Sequence, residues 1–207
     1  EGDDHIYGGD DFATDILVGG DGNDTLDGGA AWDLMYGGLG DDTFYVSQQV
    51  DWVFESVGEG YDSVYADSPN GYYLYDNIEA LILLGTTPFG VGNALDNVIM
   101  GNSIGNTLLA GGGNDTLDGG AGTDILFGEA GADTFVIRRG TQVDIVGDFT
   151  VGQDKLDLAG LGFADVTAVK AAMTQVGADI AFDLGGGEMV ILQMVGIHAL
   201  TDGEFVF

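Results

Sequence analysis

Acidic and apolar residues recur together every nine positions in two parts of this chain, and this shared period constrains the fold more than any other feature. From Gly19 to Tyr45, three consecutive units read GGDGNDTLD, GGAAWDLMY and GGLGDDTFY. In each unit a six-residue stretch ends in an aspartate, and an apolar residue follows two positions later. The residues in phase are the acids Asp15, Asp24, Asp33 and Asp42 and the apolar residues Leu17, Leu26, Met35 and Phe44. Such a repeat predicts units that stack on one another.

The same period returns further along the chain. Here the first two polar positions in phase are asparagines, and the later ones are aspartates. The residues in phase are Asn97, Asn106, Asp115, Asp124 and Asp133, followed two positions later by Ile99, Leu108, Leu117, Leu126 and Phe135. The chain therefore contains two repeat arrays of one design.

The nine-residue unit has a simple physical interpretation. Six residues rich in glycine make a tight turn, because glycine permits positive φ angles and close approach of the backbone. The next three form a short strand whose middle, apolar side chain points inward. One strand cannot bury that side chain alone, so units must coil and stack, with units i and i+2 about 4.8 Å apart. The repeat thus predicts a solenoid with two parallel sheets.

Stacking also brings aspartate carboxylates and backbone carbonyls of neighbouring turns around one point. Ca²⁺ binds about six to eight such oxygen ligands, whereas Mg²⁺ requires a smaller octahedral site and loses its water less readily. The alternative is that each aspartate only caps the backbone of its own turn. That alternative suits an isolated Asp-Gly turn, but the phased array favours a series of calcium sites.

The composition supports this interpretation and excludes several others. There are 4 Lys and Arg against 35 Asp and Glu, so the formal net charge is −31. This charge argues against nucleic acid and against anionic membrane surfaces as partners, and it leaves either bound cations or a solvated acidic surface. Apolar residues make up 45%, too many for a disordered acidic tail. There is no cysteine, and no run of about 18 apolar residues that could span a membrane.

These residues resemble the RTX (repeats-in-toxin, haemolysin-type) calcium-binding nonapeptide, Gly-Gly-x-Gly-x-Asp-x-apolar-x. The resemblance implies an all-β fold, a right-handed parallel β-roll or solenoid built from two calcium-binding repeat arrays. It further implies a C-terminal, mostly antiparallel β cap with one short helix. Several Ca²⁺ ions are expected, held by the aspartate at the sixth position of each unit and by carbonyl groups of the glycine loops.

The resemblance implies a set of metal ligands. The side-chain ligands are Asp24, Asp33, Asp42, Asp115, Asp124 and Asp133, and the loop glycines are Gly20, Gly22, Gly29, Gly38, Gly40, Gly111, Gly113, Gly120, Gly122 and Gly131. Asp4 fits the motif, and Asp15 keeps the phase although residues 10–13 lack the usual glycines. Asn97 and Asn106 offer neutral amides, so weak or empty sites are expected there. Asp148 is expected to help complete the last site.

Residues 46–91 and 137–207 depart from the repeat. We predict four regions: a first array at 1–45, metal-poor connecting coils at 46–91, a second array at 92–136, and a cap with a secretion-target region at 137–207. In the connecting coils, Val50–Phe54, Asp62–Tyr65 and Ile78–Leu84 are predicted strands. Aromatic residues there favour packing, with a carbohydrate platform as the alternative; they are Trp52, Tyr61, Tyr65, Tyr72, Tyr73 and Tyr75.

The cap has its own signals. Residues 164–176 have helical spacing, and Asp179–Leu184, Met189–Leu192 and Phe205–Phe207 are predicted antiparallel strands. The final residues, Glu204–Phe207, resemble the uncleaved C-terminal signal of type I (ABC exporter) substrates, although a last core strand would look the same. The chain also opens in mid-pattern without a starting Met, which we interpret as a piece of a longer protein.

Two functional hypotheses follow, and neither makes the chain itself an enzyme, since no nucleophile, phosphate-loop or zinc-helix motif is present. In the first, the chain is the C-terminal module of a larger secreted bacterial protein, folding on Ca²⁺ after type I export. Its partners are then calcium and, transiently, the ABC exporter. In the second, it binds a polysaccharide or a cell surface for an extracellular enzyme or adhesin. An enzymatic domain can precede it in either case.

Overall fold

The computed structural model describes residues 2–47, 50–140 and 142–207, and these form short strands joined by tight loops. The first array and the connecting coils contain β1 (His5–Tyr7), β2 (Ile16–Asp21), β3 (Thr25–Asp27), β4 (Leu34–Leu39), β5 (Thr43–Val46), β6 (Trp52–Phe54), β7 (Ser63–Ala66), β8 (Tyr72–Tyr73), β9 (Ala80–Leu83) and β10 (Phe89–Val91). The second array and the cap contain β11 (Val98–Met100), β12 (Thr107–Leu109), β13 (Thr116–Asp118), β14 (Ile125–Phe127), β15 (Thr134–Val136), β16 (Val143–Val146), β17 (Lys155–Asp157), α1 (Val166–Ala171), β18 (Met173–Val176), β19 (Asp179–Gly185), β20 (Glu188–Leu192) and β21 (Phe205–Val206).

Successive strands alternate between the two sides of a parallel solenoid. The odd-numbered strands β1 to β17, together with β21, form one sheet of ten strands. Two sheets form the other side. One contains β2, β4 and β6, and the larger one has the strand order β8, β10, β12, β14, β16, β20, β19, β18. The all-β parallel roll predicted from the repeat is confirmed.

The pairing register reproduces the nine-residue period. Leu26 pairs with Phe44, and Leu117 pairs with Phe135, so units two apart lie directly over one another. The apolar residue in the middle of each repeat strand is buried, with 0% exposure at Leu26, Phe44 and Leu117. One stacked row of apolar side chains from each sheet therefore fills the interior.

The loops use glycine where the backbone demands it. The ten loop glycines predicted as ligands all have positive φ, from 79° at Gly29 to 153° at Gly131. Ala31 takes the place of such a glycine in its loop and also has a positive φ, of 90°. For a residue with a Cβ this conformation is strained by roughly 1–3 kcal/mol, so the stacked neighbours impose it on the loop.

The solenoid continues through the connecting coils. The strands β6, β7 and β9 coincide with those predicted between the arrays, and β5, β7, β9 and β11 pair in sequence. The step between equivalent positions changes from 18 residues between Asp24 and Asp42 to 20 between Asp42 and Asp62. A longer loop, rather than a break in the roll, interrupts the sequence period.

The cap differs from the prediction in two places. The helix covers only Val166–Ala171, with Asp165 accepting a hydrogen bond from the Ala168 N–H as N-cap. Residues Met173–Val176 form a strand antiparallel to β19, because the buried Met173 and the β-branched Thr174 and Val176 favour the sheet edge over another helical turn. The predicted helix is therefore confirmed at Val166–Ala171, and its predicted extension to residue 176 was wrong.

The second difference concerns the final strand. The strands β19 and β20 are antiparallel, as expected, but β21 pairs parallel to β17 and extends the ten-stranded sheet. The open edge left by the last coil offers β21 its unpaired backbone groups, and Phe205 covers the end of the core at 7% exposure. In the described part of the chain, no helix is long and apolar enough to cross a membrane.

Candidate metal centre

One carboxylate in each successive coil hydrogen-bonds to the coil before it. Oδ1 of Asp42 accepts the backbone N–H of Asp24 at 2.7 Å, and Oδ1 of Asp133 accepts that of Asp115 at 2.9 Å. We name this series the carboxylate ladder; its members are Asp24, Asp33, Asp42, Asp51, Asp62, Asp115, Asp124, Asp133, Asp144 and Asp154. Each bond satisfies a backbone donor at the corner where loop becomes strand.

The second oxygen of these side chains decides which coils can hold a metal. In the described chain, Oδ2 is buried and has no hydrogen-bond partner at Asp24, Asp33, Asp42, Asp115 and Asp124. These five residues are no more than 1% exposed. A buried ionised oxygen without a donor or a cation is strongly unfavourable. The arrays therefore place a row of buried carboxylate oxygens inside the loops, where a cation would stabilise them.

The loops leave room for an ion beside these oxygens. A Cβ built on Gly19 would collide with Oδ2 of Asp24, and it would lie 2.8 Å from the carbonyl oxygen of Gly37 in the next coil. The equivalent positions at Gly28, Gly119 and Gly128 face Oδ2 of the aspartate that ends the same loop. At Gly19 a carboxylate and a carbonyl oxygen thus converge from two stacked loops, and such oxygen ligands are the ones that Ca²⁺ prefers.

Burial raises the pKa of several aspartates of the carboxylate ladder. Burial raises the pKa of Asp115 and of Asp124 to about 7, although the N–H groups of Asn97 and Asn106 oppose the shift. Burial likewise raises the pKa of Asp33, Asp42 and Asp133, with neighbouring aspartates adding to it. A bound divalent cation would reverse these shifts, because it favours the charged form.

Asn97 and Asn106 stand at the positions where other coils have a ladder aspartate, but their amide groups form different hydrogen bonds. Oδ1 of Asn106 accepts the Asn102 N–H at 2.8 Å, while its Nδ2 donates to the Thr87 carbonyl at 2.9 Å. Asn97 has the same arrangement, with its Nδ2 donating to the Ile78 carbonyl at 3.1 Å. Both polar atoms of each amide are therefore hydrogen-bonded within the protein, and the weak or empty sites expected at these asparagines stay a prediction.

Three other predicted ligands lie at the margins of the arrays. Asp4 is exposed, and its N–H donates to Asp24. Asp15 is half-buried beside Gly8 and donates its N–H to Asp33. The two carboxylate oxygens of Asp148 accept the N–H groups of Gly128 and Glu129, so this side chain ties the cap to the last repeat loop.

The sequence analysis missed the ladder members outside the arrays, namely Asp51, Asp62, Asp144 and Asp154. A signal for them exists: each stands two positions before a buried apolar residue, as in the repeats, and these are Val53, Val64, Val146 and Leu156. Among them, Oδ2 of Asp51 accepts the Ser47 N–H, and Oδ2 of Asp154 accepts the Thr150 N–H. These two coils satisfy their second oxygen with the backbone, as the asparagine coils do.

Comparison with known protein families agrees with this geometry. The family model for the RTX calcium-binding nonapeptide repeat (4 copies) matches residues 11–44, 91–126 and 100–135. These stretches are RTX calcium-binding repeats. These repeats imply Ca²⁺ binding, and the five aspartates whose Oδ2 is buried without a partner lie within the matched stretches.

Comparison with solved structures returns the extracellular lipase LipA from Serratia marcescens, at 19% sequence identity and a TM-score of 0.41. The match covers all of this chain and 38% of the lipase chain. A search of curated proteins returns no match.

Directly stacked residues allow a matched test of the RTX sites. Asp124→Ala removes an unpartnered oxygen, so we expect the number of bound Ca²⁺ ions to fall. Asn106→Ala, one coil earlier, should leave that number unchanged. It should still lower stability by about 1–3 kcal/mol, because the Asn102 N–H loses its acceptor and the Thr87 carbonyl keeps only the Asn102 side chain as a donor. Calorimetric calcium titration and thermal unfolding separate the two effects, and equal ion numbers in Asp124→Ala and the wild type would contradict this assignment.

The raised pKa values predict opposite pH dependences with and without calcium. A carboxyl whose folded-state pKa is raised to about 7 stabilises the metal-free fold at low pH, and this stability is lost as pH rises from about 4 to 7. With calcium, protons compete for Asp115 and Asp124, so stability should instead rise with pH. In metal-stripped buffer, the β-structure measured by far-ultraviolet circular dichroism should increase from pH 7.5 to pH 5, whereas the thermal midpoint in calcium-saturated buffer should decrease; changes in the same direction would contradict this.

Proposed function

We propose that this chain is the calcium-dependent C-terminal module of a larger secreted bacterial protein, and that Ca²⁺ binding supplies the free energy with which it folds after type I export. Any catalytic activity then belongs to another part of that protein. The observation that carries the proposal is the set of five buried aspartate oxygens in the two arrays that have no hydrogen-bond partner.

The charge distribution explains why folding depends on the metal. All four Lys and Arg lie between Arg138 and Lys170, so neither array contains a basic side chain that could neutralise its aspartates. The ion pairs in the described residues join Arg138 to Asp118, Arg139 to Glu188 and Lys170 to Asp202. Without cations, self-repulsion of the remaining charge opposes the stacking of the loops. Binding to the folded state alone then stabilises it by mass action.

The same dependence suits export. Free Ca²⁺ is scarce in the cytosol, so the acidic chain stays unfolded and can pass a narrow exporter. Outside the cell the higher Ca²⁺ concentration drives folding, because a site assembled only in the folded state makes binding energy into folding energy.

We expect the purified chain to have little β-structure in metal-stripped buffer and to fold cooperatively as Ca²⁺ is added, because the buried oxygens then gain a cation. Far-ultraviolet circular dichroism measures the transition. Mg²⁺ at the same concentration is the control and should be much less effective, since it needs a smaller octahedral site. Equal β-structure with and without metal would refute calcium-dependent folding.

The export part of the proposal rests on Glu204–Phe207. Glu204 is 2% exposed, and its carboxylate accepts hydrogen bonds from Gly152 and Thr201. Burial alone would raise the pKa of Glu204, but these hydrogen bonds outweigh it and lower the pKa. The segment therefore closes the fold after export, and an exporter would read it while the chain is still unfolded.

A substitution at Phe207 can separate signal from core strand, since this residue is 51% exposed. In the full-length protein, Phe207→Asp should reduce secretion while calcium-dependent folding of the purified chain is retained. Val176→Asp, at a cap residue that is 57% exposed, is the matched control and should be secreted normally. Normal secretion of both variants would contradict the signal hypothesis.

A second candidate function is binding of a neutral carbohydrate. Trp32 and Trp52 are 66% and 50% exposed and line an open groove of about 300 Å³ together with Leu34 and Val50. Next to it, Tyr36 and Phe54 stack with ring centroids 4.7 Å apart. Flat aromatic faces bind the apolar faces of sugars, and the net charge of −31 disfavours anionic glycans.

Trp52→Ala should weaken binding of a neutral oligosaccharide about tenfold, equivalent to about 1.4 kcal/mol, because it removes one wall of the groove. Tyr73→Ala is the control, at a residue that is 52% exposed on a different sheet. Fluorescence of the remaining Trp32, titrated with a panel of neutral oligosaccharides, reports the change. Absence of binding across the panel would remove this candidate.

A further inference from the structure

Three carboxylates meet where the first array joins the connecting coils. One oxygen each of Asp42, Glu55 and Asp62 lies within 4.8 Å of the other two. Asp42 and Asp62 are 1% exposed, and Glu55 is half-buried. Glu55 is outside the stretches that match the RTX repeat, which here end at residue 44.

Glu55 reaches this point because of its place in the solenoid. One coil earlier, the carbonyl oxygen of Gly37 lies close to Gly19 and to the carboxylate of Asp24. In the next coil, the carboxylate of Glu55 lies at the equivalent position, beside Gly37 and Asp42. A Cβ built on Gly37 would collide with both Oε1 of Glu55 and Oδ2 of Asp42. A side-chain carboxylate thus replaces a backbone carbonyl.

The orientation of each carboxylate is fixed by one oxygen, which leaves the other available. Oε2 of Glu55 accepts the Gly38 N–H at 3.3 Å, and Oδ1 of Asp42 accepts the Asp24 N–H at 2.7 Å. Oε1 of Glu55 and Oδ2 of Asp42 are both buried without a hydrogen-bond partner. Two unpartnered oxygens, held in place and aimed at one point, indicate a ligand between them.

Without a cation this cluster is electrostatically costly. Burial raises the pKa of Glu55 to about 8, and the charges of Asp62 and Asp42 contribute. Burial also raises the pKa of Asp62 to about 7, with contributions from Asp42 and Glu79. The basic side chains all lie beyond residue 137, so a bound ion is the available counter-charge.

We propose that Asp42, Glu55 and Asp62 bind one divalent cation, Ca²⁺ in preference to Mg²⁺, at the junction of the first array and the connecting coils. Two ligand oxygens of one calcium ion are at most about 4.6–5.2 Å apart, and the three oxygens of the cluster lie within that limit. The site rests on the proposed calcium-dependent function and extends it into a loop that does not have the RTX motif. It also places a metal at the edge of coils predicted to be metal-poor.

Glu55→Gln tests the site, because it removes the charge and keeps the size of the side chain. The roll already accommodates amides on the ladder at Asn97 and Asn106, so we expect the variant to fold with calcium. It should bind one Ca²⁺ fewer than the wild type, measured by calorimetric titration and native mass spectrometry. Asp67→Asn is the matched control; Asp67 is an exposed carboxylate of the same connecting coils, and its substitution should leave the number unchanged.

A second variant tests whether the three carboxylates share one ion. Asp62→Asn keeps an oxygen for the Asp42 N–H and should also lose one Ca²⁺. The double variant with Glu55→Gln should still lose only one, and a loss of two would overturn the shared site. An unchanged ion number in Glu55→Gln would overturn it as well. If the wild type binds no Ca²⁺ at all, the proposed function itself fails, and this outcome is distinct from the other two.

Discussion

The fold depends on one hydrogen bond repeated along the solenoid, from the backbone N–H at the end of one loop to a carboxylate oxygen of the next coil. This bond adds to the parallel backbone pairing that spaces the coils, and it fixes the direction of each aspartate. Because a carboxylate has two oxygens, using one for the backbone leaves the other inside the loop. Calcium affinity is therefore a consequence of how the coils are joined, rather than a feature added to a finished scaffold.

The chain satisfies that second oxygen in different ways along its length. In most of the array coils it has no partner and is open to a cation. At Asn97 and Asn106 an amide N–H group contacts the neighbouring carbonyls, and at Asp51 and Asp154 a backbone N–H occupies the oxygen. The metal-free coils keep the same backbone path, so calcium-dependent and calcium-independent coils stack in one roll.

Much of the fold could be predicted because the repeat is local. Nine residues contain a turn, a strand and one inward apolar side chain, so the phase of Leu26 and Phe44 already indicates which residues stack. The cap was less predictable. Residues 173–176 have helical spacing, yet pairing with β19 decides their conformation, and β21 joins a sheet whose preceding strand is far away in sequence. Contacts of that range leave no periodic signal.

The sequence by itself determined the two-sided parallel roll, the buried row of apolar residues and the aspartates that face the loops, since all of these repeat at one fixed interval. Only the tertiary structure decided which oxygens lack a partner and that Glu55 joins Asp42 and Asp62. The physical reason is that loops of unequal length change the step between coils. A fixed sequence interval then no longer identifies the residue in the neighbouring coil. Which side chain lies beside a loop aspartate therefore depends on how the coils stack.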